Sequence, residues 1–98
     1  MLEDVKQALR ITNKAYDGEV QDLIDAALAD LYQSGVFIDI EEFRQSDTTD
    51  PLIKRAIITY CKAHFGYDNP DSERLNEAYI MLKQHLSLYS DYKGDIDA

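Results

Sequence analysis

The stretch Asp50 to Asp71, DPLIKRAIITYCKAHFGYDNPD, decides the fold. Asp50 is a favoured helix N-cap type, Pro51 suits the first helical position, and Gly66 supplies the stop. At about 100° per residue, Ile53, Ala56, Ile57, Tyr60 and His64 share one side of this helix. Ile58, Cys61 and Phe65 form a second apolar strip, and only Arg55, Lys62 and their neighbours leave a polar edge. A helix apolar over most of its circumference sits at the centre of a fold or between subunits. The second strip is therefore the feature to explain: it touches the rest of the fold or a neighbouring chain.

Working outward, three further segments read as helical. Leu2, Val5 and Leu9 lie at helical spacing over Leu2 to Leu9, and ITNKAYDG then breaks the pattern. A second helix starts near Asp17, an N-cap type, and carries Val20, Leu23, Ile24, Ala27, Leu28 and Leu31 on one face. Ser34 and Gly35 end it, the glycine suiting a left-handed cap. Its opposite face holds Asp22 and Asp25, with Asp17 and Glu19 in the first turn, where acids complement the helix dipole. After the central helix, Asn69 or Asp71 around Pro70 starts a last one. Leu75, Ala78, Tyr79, Leu82, Leu86 and Tyr89 form its core stripe. Met81, Leu88 and Tyr92 fall together on another side, more apolar surface than a helix in a monomer needs, with His85 between the two stripes. The expected fold class is all-α: a small bundle of about four helices with a long irregular loop between the second and third. That loop spans Val36 to Asp50, with a weak strand signal over Val36 to Ile40 and Phe43 as a cap on the core. Residues 1–92 are expected to form a single domain and 93–98 an acidic, mobile tail.

A chain of 98 residues is enough for one modest core, and a partner surface often stabilises so short a chain. Hydrophobic residues make up 45%, which argues against disorder, and no apolar run approaches the roughly 20 residues that span a bilayer. The start MLEDVKQALR mixes acids and bases, unlike a secretory signal. The single cysteine points to a reducing compartment. The formal net charge is −9, and the ten Lys and Arg are spread along the sequence, which disfavours tight binding to nucleic-acid phosphates.

No catalytic or metal site emerges. A nucleophilic cysteine needs a base, exposure and a setting that lowers its pKa. Cys61 sits mid-helix, and His64 falls with Ile57 and Tyr60 on the apolar side, so both read as packing residues. His64 and His85 lie on different helices, and the HExxH and CxxC spacings are absent. DYKGDID lacks the spacing and terminal glutamate of a calcium loop, and no phosphate-binding glycine loop or dinucleotide fingerprint is present. No cofactor is expected. Seven tyrosines suit interfaces as well as cores. The sequence reads as a binding or assembly protein, not an enzyme.

Taken in order, MLEDVKQALRIT, the acidic DGEVQDLIDAALADL, the Pro-initiated helix with its Tyr-Asp-Asn turn, and LNEAYIMLKQHLSLY resemble the small tailed-phage head–tail connector proteins over about residues 1–92. That family often finishes with a Gln-Leu-Arg-type run. Here Gln84, His85 and Leu86 are followed by Ser87, so no role of that arginine carries over. The resemblance implies a non-enzymatic subunit of the virion head–tail interface, present in the host cytoplasm before assembly. It implies a ring of about twelve copies beneath the portal protein, with the next connector or tail protein below. DNA would pass through without specific binding, and no membrane is involved. On this reading Ile58, Phe65, Met81, Leu88 and Tyr92 are candidate subunit-interface residues, and Asp22 and Asp25 are candidates for an acidic channel or solvent face. The alternative is a small acidic helical regulator or interaction domain of the bacterial cytosol, holding a partner helix in a groove.

Overall fold

Each helix begins and ends where local chemistry dictates, and those ends set the geometry of the rest. A computed structural model describes residues 1–36, 51–66 and 69–88. Among the described residues there are four α-helices: α1 (Leu2–Leu9), α2 (Asp17–Gln33), α3 (Pro51–His64) and α4 (Ser72–Leu88), with a single 3-10 turn at Lys14–Tyr16. The all-helical expectation holds. The strand signal over residues 37–40, Phe43, the Asp50 cap, Tyr89, Tyr92 and the tail lie outside the described residues.

Helix α1 places Val5 in the core and closes at Arg10, whose backbone is left-handed with φ 62°. The Arg10 N–H bonds the Gln7 carbonyl at 3.1 Å and the Ile11 N–H reaches back to the Lys6 carbonyl at 2.9 Å. These paired bonds satisfy carbonyls that the helix end would otherwise leave open. The same closure ends α2: Gly35 (φ 96°) bonds Tyr32, and the Val36 N–H reaches the Leu31 carbonyl at 3.0 Å. Leu31 and Val36, at the two ends of that bond, are both buried.

The start of α2 corrects the reading of Asp17 as its N-cap. The N-cap of α2 is Tyr16, with no side-chain bond; the side-chain cap is Asn13, whose Oδ1 accepts the Ala15 N–H at 2.7 Å and opens the 3-10 turn leading into α2. Asp17 is the first helical residue, and its carboxylate turns to Lys6 instead. Between α3 and α4, Asn69 serves both helices. Its Nδ2 donates to the Lys62 carbonyl at 2.6 Å, and its Oδ1 accepts the Asp71 N–H at 3.0 Å.

Helix α3 is central. It packs against α1, α2 and α4, and α1 also touches α2. Ile53, Ala56, Ile57 and Cys61 of α3 meet Val20, Ile24, Ala27, Leu28 and Leu31 of α2, Val5 of α1, and Tyr79 and Leu86 of α4 in one buried cluster. Burying a side chain of this size contributes roughly 1.5–3 kcal/mol relative to leaving it exposed. This cluster fixes which helix faces remain for a partner.

Candidate functional site

Cys61 is fully buried, and loss of hydration pushes its thiol up to about 12. A thiol held protonated inside the core is no nucleophile. His64 departs from the expectation. It is exposed at the last turn of α3, and its ring leans on Tyr60 at a centroid distance of 4.3 Å. Cys61 and His64 thus form no catalytic pair. Among the described residues, no three His, Cys, Asp or Glu side chains are grouped to hold a metal ion, and no helix is long and apolar enough to cross a membrane.

The polar contacts between helices are structural ties. The Tyr79 hydroxyl donates to Asp30 Oδ2 at 2.5 Å, and Lys83 Nζ donates to the same oxygen at 3.0 Å. This links α4 to α2 across the edge of α3. The Tyr79 bond, with help from Lys83 and against partial burial, holds the Asp30 carboxyl below its ordinary value. Burial first, and the Asp30 contact second, pushes the Tyr79 phenol up. Tyr60 meets the Tyr79 ring edge-on at 5.1 Å. The second tie joins α1 to α2. Lys6, almost wholly buried, lies 2.6 Å from Asp17 Oδ1, an ion pair without an aligned hydrogen bond. Neither tie was read from the sequence. Asp30 sits 49 residues from Tyr79, so no local spacing could join them. The one signal for Lys6 was its place between Leu2 and Leu9 on the apolar side of α1.

Four surfaces among the described residues bear on contacts with other molecules. On α4, Met81 and Leu88 are 70% and 73% exposed and project away from the buried Tyr79 and Leu86. On α3, Ile58 and Phe65 are half-buried against the core, and Phe65 meets the Tyr16 ring edge-on at 5.7 Å. Met81 and Leu88 therefore share a side of one helix, Ile58 and Phe65 belong to another and are partly covered, and Tyr92 lies outside the described residues. The outer face of α2 carries Glu19, Asp22 and Asp25, all exposed. The fourth surface is a shallow groove between α3 and the start of α4, floored by Ile58 and Leu75 and rimmed by Lys54, Arg55 and Lys62. Three of the chain's ten cations thus share one groove.

These surfaces suit contacts with other macromolecules. A family model described as a phage connector protein matches residues 1–93. No curated protein and no solved structure matches the chain.

Proposed function

The chain belongs to the phage connector protein family, and on that premise we propose that it is a structural subunit of the head–tail junction that closes into a ring of about twelve copies beneath the portal. The ring extends the DNA channel and offers a platform for the next connector or tail protein. The subunit occupies the virion head–tail interface and waits in the host cytoplasm before assembly. The observation that carries this reading is the family match over residues 1–93.

Two physical features support it. A net charge of −9 suits a channel wall that repels phosphates and lets DNA move without sticking. Exposed Met81 and Leu88 cost a lone subunit the benefit of burial, and covering each against a neighbour recovers roughly 1.5–3 kcal/mol. With Ile58, Phe65 and Tyr92 they are the proposed apolar part of the subunit contact. Two uses compete for exposed Asp22 and Asp25, the channel wall and a contact with a neighbour.

Leu88→Asp tests the apolar contact. The variant is expected to keep wild-type helicity and melting, because the side chain is outside the core, and to lose assembly in sedimentation with the portal protein. Global unfolding, or assembly unchanged, would contradict that assignment.

A further inference from the structure

We propose that the groove between α3 and α4 receives the acidic outer face of α2 from a second copy of this chain, so that the subunit contact is head-to-tail and charge-paired. The inference rests on the ring reading and says which surfaces meet.

Charge selects the occupant. Lys54, Arg55 and Lys62 rim the groove, and no acidic residue lines it among the described residues. Lys54 faces Asp4 at 3.4 Å, whereas Arg55 and Lys62 have no ion pair among the described residues. In a chain of net charge −9, two subunits repel unless such a cationic strip meets a concentrated acidic one. The outer face of α2 is that strip, with Glu19, Asp22 and Asp25 along it. Gly18, Ala26 and Ala29 on the same face are also exposed. Their small side chains give the helix a low profile, which lets its backbone approach a shallow groove closely.

Geometry requires another copy. Val20, Ile24, Ala27 and Leu31 turn α2 inward onto α3, so its acids point away from α3. On α3, Arg55 and Lys62 lie on the side opposite Ile53 and Ile57, which face the core, with Ile58 between that side and Cys61. The acidic face and the basic groove thus look outward in roughly opposite directions, and one chain cannot bring its own pair together. Different surfaces on opposite sides make a heterologous contact, the kind that closes into rings. Asp22 and Asp25 are thereby assigned to the contact and not to the channel wall.

Charge reversal in the full chain tests this. Arg55→Glu with Lys62→Glu, or Asp22→Lys with Asp25→Lys, should each weaken subunit association about ten-fold or more, read by sedimentation velocity alone and with the portal protein. All four changes in one chain should restore association to within about three-fold, because the two substituted pairs are then reversed on both sides. Assembly untouched by the groove variant, or no restoration in the combined chain, overturns the pairing and leaves the ring reading standing. A groove variant that lowers the monomer's melting temperature but not its assembly places the occupant within the same chain, and also overturns it. A wild-type chain that stays monomeric even with the portal overturns both.

Discussion

Asp30 shows how one side chain ties two helices that share little other contact. Tyr79→Phe removes its strongest hydrogen bond and is expected to cost about 1–2 kcal/mol at pH 7, the low end for a charge-assisted bond because the carboxylate is partly exposed. The pH dependence has a definite sign. The folded carboxyl titrates below its ordinary value of 3.8, so its stabilisation is complete above that pH and is lost as pH falls through the folded value. Denaturation of the two proteins should therefore differ at neutral pH, and the gap should narrow as pH falls below 3.8; a gap that widens in acid would contradict the assignment. Cys61 titrates the other way. Its thiol is raised from 9.0 to about 12, so its contribution is present below pH 9 and lost as pH rises through that window. At pH 8 a thiol reagent should label Cys61 only at the rate of unfolding, and immediate full labelling would refute its burial. The packing role of Cys61 was legible from its place on a helix with Ile57 and Phe65. The exposure of His64 was not, because a helical projection gives a direction and not where the neighbouring helix stops covering it.

At the scale of elements, the helix ends were the most readable feature. Pro51, Gly66, Ser34 and Gly35 are punctuation with known backbone consequences, and the helices start and stop beside them. Gly35 and Arg10 occupy the same left-handed position in matching closures, and this gives an internal comparison. Gly35→Ala should destabilise by about 1 kcal/mol through backbone strain alone, since nothing lies within 4 Å of the added methyl. Arg10→Gly should stabilise by about 0.5–1 kcal/mol for the converse reason. Chemical denaturation of both variants checks the pair, and equal signs would contradict it. The role of Asp17 was misread because an N-cap and a helix-start acid look alike in one dimension. Only the fold brings buried Lys6 to it and leaves Asn13 to cap.

For the whole molecule, the central position of α3 followed from its two apolar strips, and the family from the order of its segments. The groove that Lys54, Arg55 and Lys62 rim did not, since α3 and α4 had to be docked before Leu75 joined that edge of α3. Net charge alone hid a local reversal of sign, and that reversal separates a uniformly repelling subunit from one able to recognise its own acidic face. The central claim is that this chain closes into a ring on the portal. Single-particle imaging of the full chain mixed with the portal protein of the same phage tests it most directly. A closed ring of subunits coaxial with the portal, its central opening continuous with the portal channel, is the predicted result. Portal particles bare of added density, with the chain left monomeric in solution, would contradict it.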